Sequence, residues 1–195
     1  MGKPIFNNKP NQHVVYRYDD GLGTKIHQDF WISRAVAVVG IIVAFYEGEY
    51  YILIIKRSNN MIDEKNKYCA PCGYLDWQES CYEAVTREIY EESSLYLPDI
   101  EKYLVFNNDK QPYFINDNPN KDKRQNVSFV YVMCYEFENG KFPIEIEKFK
   151  NNETAEVKWM KLSDFYNNNL DWAFNHNERI GNTILFLKNK GFNMY

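Results

Sequence analysis

Apolar and polar positions along the chain fall into blocks of different period. Residues 35–45, AVAVVGIIVAF, are apolar without a break, and after YEGEY a second β-branched and aromatic run covers residues 50–55. The longer run is about half the ~20 residues a membrane-spanning helix needs, so both runs predict buried strands of a hairpin turning near Gly48, central in their sheet. VSFVYVMCYEF at 127–137 predicts another strong strand, with shorter ones expected in YLVF (103–106) and AEVKWMKL (155–162). HVVYRYDDGLGTKIHQDFW at 13–31 predicts an N-terminal hairpin around Asp20-Gly21, with Gly23 as a further turn position. Helical signals stand in two places. Residues 79–93 contain no Gly or Pro, and from about 172 to 190 Ala173, Ile180, Ile184 and Leu187 recur near a 3.6 period before Gly191. Ser163 is placed to cap a helical turn containing Asp164 and Phe165, while the polar stretches 58–67 and 116–126 predict loops.

Strands, helix, strands, helix is the order of an α/β (α+β) fold, a mixed sheet covered by helices on its faces. The expected organisation is an N-terminal extension over 1–33 and one compact domain over 34–195. Composition agrees with a folded chain: of 195 residues, 45% are apolar, 26% charged and 17% aromatic, too rich in aromatics for disorder. A formal charge of -4 argues against DNA or RNA as partner, and leaves room for a small phosphorylated ligand bridged by a metal. MGKPIFNNKP carries no signal-peptide pattern and no run is long enough for a membrane, so a reducing cytoplasm is the expected setting for the four cysteines. CAPC at 69–72 invites a redox or zinc reading. It precedes a glycine turn instead of opening a helix, and no second CxxC completes a zinc site, so two small apolar residues at a strand end are expected. His13, His27 and His176 are scattered without HxxxH spacing and read as solvated or core histidines.

The chemistry concentrates in GYLDWQESCYEAVTREIYEESSL, residues 73–95. On a helix, Glu88, Glu91 and Glu92 share a face and bring their carboxylates within reach of a common point. Arg87 can pair with Glu83 and Glu91 at four-residue spacing, but such pairs are worth only a few tenths of a kcal/mol and leave the cluster repelling itself. A hard divalent cation would resolve this, because Mg2+ takes oxygen ligands at roughly 2.0–2.1 Å and is held by one or two carboxylates plus substrate phosphates.

The arrangement of Gly73, Glu79, Arg87-Glu88-Ile89, Glu91-Glu92 and Leu95 resembles the Nudix box of the Nudix hydrolases, and agreement at so many positions is not chance. Ser94 departs from the pattern: the family has glycine there, just past the helix, where a left-handed residue is often needed. APCG resembles the family's approach to the box, with Cys72 as the variant residue. The resemblance implies a Nudix-type α/β/α sandwich, with Glu88 and Glu92 as direct ligands of Mg2+ (Mn2+ as substitute), Glu91 as a further ligand or acting through bound water, and Gly73 adding its backbone carbonyl. Glu79 and Arg87 would hold the cluster in place. The family commonly takes another acidic residue late in the fold, and Glu153 and Glu156 are the two candidates.

The implied reaction is hydrolysis of the diphosphate in a nucleoside diphosphate linked to another group. The N-terminal hairpin, with Tyr16, Tyr18, Phe30 and Trp31, is similar to the extra hairpin of the ADP-ribose pyrophosphatase branch, which implies a homodimer and a base stacked on Trp31. Arg57, and the loop carrying Lys121, Lys123 and Arg124, are candidates to meet phosphate. Nucleotide sugars are thus expected ahead of dNTPs. Two rivals stand beside this reading: a Nudix module that senses a nucleotide without cleaving it, and an RNA end pyrophosphohydrolase.

Overall fold

The structure, a computed structural model, describes residues 12–19, 25–32, 34–118, 126–167 and 169–194. The chain divides into two compact units, residues 1–35 and 36–195. In the first, β1 (Gln12–Asp19) and β2 (Lys25–Ile32) pair antiparallel from Gln12 opposite Ile32 to Asp19 opposite Lys25. This is the hairpin expected over 13–31. The side chains of Tyr16, Tyr18, Phe30 and Trp31, and the cations Lys121, Lys123 and Arg124, lie outside the described residues.

The second unit is built on β3 (Val36–Tyr46) and β4 (Glu49–Arg57). Glu47 and Gly48 turn between them with φ of 49° and 82°, the two positive values that suit the twist of a two-residue hairpin loop. The chain continues through β5 (Tyr68–Cys69), β6 (Cys72–Tyr74), α1 (Cys81–Ser93), the short helix α2 (Leu97–Ile100), β7 (Leu104–Phe106), β8 (Phe114–Asn116) and β9 (Val127–Glu136). It then runs through β10 (Thr154–Lys161), the one-turn α3 (Leu162–Phe165) and α4 (His176–Asn189). The main sheet has the order β10-β4-β3-β9-β7 and is mixed, since β9 lies parallel to β3 from Val36 opposite Val127 to Phe45 opposite Glu136.

Unbroken apolar runs form β3 and β4 because both faces of the sheet are covered. Val38, Ile42, Leu53 and Ile55 turn to one face, with Ala84, Val85 and Ile89 of α1; Val39, Ile41, Val43, Ile52 and Ile54 turn to the other, with Ile180, Ile184 and Leu187 of α4. Gly40 sets how closely α1 approaches: a Cβ there would stand 2.8 Å from Ile89 Cδ1 and 3.0 Å from Val85 Cγ2.

Pairing between β3 and β4 stops at Val43 opposite Ile52. Beyond that point the strands part, and the segment 68–74 fills the opening: β5 pairs with β4 at Ile55 and Lys56, β6 pairs with β3 at Ala37–Val39, and Gly40 donates to Pro71 O at 2.9 Å. CAPC therefore bridges the two halves of a split sheet.

Three local expectations change. The first helix begins at Cys81 rather than 79, because Ser80 caps it: its Oγ accepts from the Glu83 amide while Glu83 Oε2 accepts from the Ser80 amide. The last helix begins at His176 rather than near 172, since Tyr68 and Trp172 form a parallel bridge and Phe174 and Asn175 take positive φ. Ser163 lies inside α3 and caps nothing; Lys161 stands at the N-cap without a side-chain bond. Ser94, in contrast, makes the turn for which glycine is the family residue, with φ 63° and ψ 8° and its amide donating to Tyr90 O at 2.7 Å. A side chain in this conformation costs about 1 kcal/mol. We expect Ser94→Gly to raise Tm by about 2–4 °C in thermal unfolding; an unchanged or lower Tm would mean the serine side chain itself holds the turn.

Candidate active site

Packing α1 against β6 puts Glu88 and Glu92, one turn apart, on the helix face that meets the split in the sheet. Glu92 is only 3% exposed, and its Oε2 accepts the Cys72 amide at 2.8 Å. Glu88, 8% exposed, lies against the Cα of Gly73 and accepts from Arg87 Nη1 at 2.8 Å. Burial raises the pKa of both carboxyls, well above the usual range for Glu92, where the neighbouring Cys72 and Glu88 add to the effect.

Arg87 is the hub. Its Nε and Nη2 grip the two oxygens of Glu79 at 3.1 and 2.7 Å, Nη1 reaches Glu88 and also Glu91 at 2.9 Å, and Nη2 donates to Tyr74 O at 3.0 Å. The Glu79 contact, followed by those to Glu88 and Glu91, raises the guanidinium's pKa further, and Arg87 in turn lowers that of Glu79. The Asp76 amide fixes Glu79 from the other side at 2.7 Å. Arg87 does not pair with Glu83 as the four-residue spacing suggested, because the capping box at Ser80 occupies that carboxylate.

A cleft of about 440 Å³ opens over this cluster. Gly73, Glu88, Glu91 and Glu92 line one side, with Glu153 beside them; Arg57, Phe174, His176 and Arg179 line another, and Asn126 just before β9 and Ser128 within it also contribute. Asn151 holds the late acidic loop in place: its Oδ1 accepts the amides of Glu153 and Thr154 at 2.8 and 2.7 Å, and its Nδ2 donates to the Glu91 carbonyl at 2.8 Å. Of the two late candidates, Glu153 reaches the cleft. Glu156 accepts from Tyr68 Oη at 2.9 Å and is not among the lining residues. Arg57 is buried, with its guanidinium 4.9 Å from the centre of the Phe174 ring, and its Nη2 makes long contacts to Asp63, 3.4 Å to the carbonyl and 3.5 Å to the carboxylate. Its Nε has no hydrogen-bond partner among the described residues. Trp31 lies in the other unit, and its side chain is outside the described residues.

The acidic side chains are less convergent than the helix spacing implied. Glu88, Glu91 and Glu92 share the cleft, yet among the described residues they do not form a set of three whose oxygens all lie within 4.8 Å of one another. Arg87 draws Glu88 and Glu91 toward itself, while the Cys72 amide keeps Glu92 back. The donor set still fits a hard cation: carboxylate oxygens kept from water, beside a glycine backbone, in a cleft open to a phosphate-bearing ligand that completes the coordination.

Sequence reasoning missed the far wall of the cleft. Asn126, Phe174, His176 and Arg179 come from the residue before β9, the segment before α4 and the first turn of α4, and no spacing links them to residues 73–95. Only the fold brings them together. The reading of CAPC as two small residues at a strand end omits His176, whose Nδ1 accepts the Ala70 amide at 3.1 Å in the middle of that loop.

Comparison with known proteins agrees with this geometry. The NUDIX domain family model matches residues 34–180. The chain is 35% identical over 104 residues to the ADP-ribose pyrophosphatase of Methanocaldococcus jannaschii, covering 53% of this chain and 52% of that protein, so it spans about half the length of the curated relative it matches. The NUDIX domain of Shewanella oneidensis NrtR, solved with ADP ribose, superposes with a TM-score of 0.54 at 19% identity, over 87% of this chain and 94% of that one. The bifunctional NMN adenylyltransferase/ADP ribose pyrophosphatase of Francisella tularensis, solved with AMP and manganese, gives 0.58 at 20% identity over 80% of this chain and 42% of that one. At such identities the two structures speak for the fold. With the family model matched over most of its length, and a mixed sheet between helices as its architecture, the chain belongs to the NUDIX domain family.

Proposed function

We propose that the chain is a Mg2+-dependent pyrophosphohydrolase that splits the diphosphate of a nucleoside diphosphate linked to a sugar-like group, with ADP-ribose as the model substrate. The observation that carries this is the pair of buried carboxylates, Glu88 and Glu92, set against a glycine backbone in a cleft that also holds a buried arginine. The Methanocaldococcus jannaschii relative, described as an ADP-ribose pyrophosphatase, supports the choice of substrate.

In this reading Glu88, Glu92 and the Gly73 carbonyl hold the cation, with Glu91 a further ligand or acting through water. The cation supplies charge neutralisation at the phosphoryl oxygens and a more acidic attacking water. Arg87 and Glu79 position the carboxylates. Glu153, on the loop pinned by Asn151, is the residue placed to accept a proton at the cleft. Arg57, with its unpartnered Nε, binds a substrate phosphate, and its stacking on Phe174 fixes the guanidinium plane.

Gly73 allows none of this to shift. A Cβ added there would fall on the Glu88 carboxylate. Gly73→Ala is therefore expected to displace Glu88 and lower kcat by about a hundredfold or more, since even small misplacement of reacting groups costs that much; an alanine variant with wild-type turnover would remove Glu88 from the site.

Glu92→Gln keeps an acceptor for the Cys72 amide and removes a buried charge. We expect a Tm no lower than that of the parent chain in the absence of metal, and kcat reduced about a thousandfold, equivalent to roughly 4 kcal/mol of barrier. Near-normal turnover by the folded variant in Mg2+ would refute its role.

Incubation with Mg2+ and a panel of ADP-ribose, nucleotide sugars and dNTPs, followed by product identification, tests the substrate. Release of AMP and ribose 5-phosphate from ADP-ribose is expected. Pyrophosphate released from dNTPs with ADP-ribose untouched would overturn the substrate choice, and tight binding of ADP-ribose without products would make the chain a nucleotide sensor.

A further inference from the structure

The geometry points to a second cation site, made by Cys69, Cys72 and His176 and suited to a soft or borderline ion such as Zn2+. Each residue offers a ligand atom, two sulfurs and one imidazole nitrogen, and the three atoms all lie within 4.8 Å of one another. Among the described residues this is the one group of three His, Cys, Asp or Glu side chains gathered so closely. Zinc with bonds of about 2.3 Å to sulfur and 2.0–2.1 Å to nitrogen needs its ligands about 3.5–3.8 Å apart, so closure takes shifts of roughly an ångström or less.

The three come from separate elements. Cys69 ends β5, Cys72 opens β6 and His176 opens α4, so the cluster ties the split in the sheet to the C-terminal helix. Cys69 and His176 are almost wholly buried, whereas Cys72 is partly open, and both Cys72 and His176 line the cleft. A fourth ligand position therefore faces the cleft, where water or a ligand atom completes a tetrahedron.

The charge balance fits. His176 is held neutral, its pKa pushed well below the usual range by burial and by Arg179 and Arg57. Nδ1 carries the free lone pair of the neutral ring and accepts from the Ala70 amide at 3.1 Å, so a cation there competes with that amide for it. Two thiolates cancel the charge of a divalent ion, so the buried unit is neutral overall and costs far less to bury than an unpaired charge. Thiolate and imidazole select Zn2+, whereas the carboxylates of Glu88 and Glu92 suit Mg2+.

The test is titration of the reduced, metal-free full chain with Co2+, followed by displacement with Zn2+. One equivalent of Co2+ is expected to give thiolate-to-metal charge-transfer absorption and the intense visible bands of a tetrahedral ion, both lost when Zn2+ is added. Cys69→Ser and Cys72→Ser should each weaken Zn2+ affinity by at least about a hundredfold, and Glu91→Gln should leave the Co2+ spectrum unchanged. Absence of the charge-transfer band in the parent chain overturns the site. So does a band that survives undiminished in the Cys69→Ser/Cys72→Ser double variant, since the sulfur would then belong to Cys81 or Cys134. Should a serine variant fail to fold, the parent spectrum decides alone. None of these readouts depends on pyrophosphate hydrolysis, so the site stands or falls apart from the proposed function.

Discussion

Holding the carboxylates of Glu88 and Glu92 out of water is the constraint around which the cleft is arranged. An ionised group taken from water costs several kcal/mol unless partners replace the lost hydration. Among the described residues the replacements are few: the Cys72 amide for Glu92 and one guanidinium nitrogen for Glu88. Arg87 cannot neutralise the group, because it divides its donors among Glu79, Glu88, Glu91 and the Tyr74 carbonyl. The raised pKa values of both buried carboxyls are the trace of that shortfall, and a strongly perturbed pair in a cleft is the usual mark of a functional site. A chain selected for stability alone would place glutamine or leucine there.

The split between β3 and β4 makes such burial feasible. Full pairing of the two strands would leave no room for residues 68–74, and Gly73 would have no edge on which to lie. The outer edges are already taken, β3 by β9 and β4 by β10, so the inserted segment has one place to pair. From that arrangement the cleft inherits its walls. β6 supplies Gly73, β4 ends in Arg57, the loop before β10 supplies Glu153, and α1 lies across the opening with its acidic face inward. Arg57 and Glu153 sit at a strand end and on a loop, while the strands beneath them are the most deeply buried part of the unit.

What was legible in the sequence follows from the range of each interaction. The β3–β4 hairpin, β9 and α1 were readable because their signals are local: continuous apolar runs, a turn with Gly48, and a helical stretch free of breakers. Boundaries were less readable where one side chain redirects the backbone, as Ser80 does at the start of α1 and the Tyr68–Trp172 bridge does before α4. Arg87 illustrates the same limit within the site. Helix spacing offered Glu83 and Glu91 equally, but Glu83 was already committed to the cap, and the arginine reached Glu79 outside the helix instead. The parallel pairing of β3 with β9 leaves no local trace, and with it went the far wall of the cleft.

Cys72 and Gly73 bring the two metal chemistries into contact. The amide of Cys72 holds Glu92, its sulfur faces Cys69 and His176, and the missing side chain of Gly73 leaves space for Glu88. With a hard ion on the carboxylates and a soft ion on the sulfurs, as proposed, ligand type would sort the two across a single peptide unit. The sorting is not independent of geometry. A cation at Cys69, Cys72 and His176 would fix the peptide whose amide holds Glu92, and with it the first turn of α4, from which Arg179 enters the cleft. Stiffness at that point would matter more here than in a site whose carboxylates already converge, because among the described residues the oxygens of Glu88, Glu91 and Glu92 do not all lie within 4.8 Å of one another.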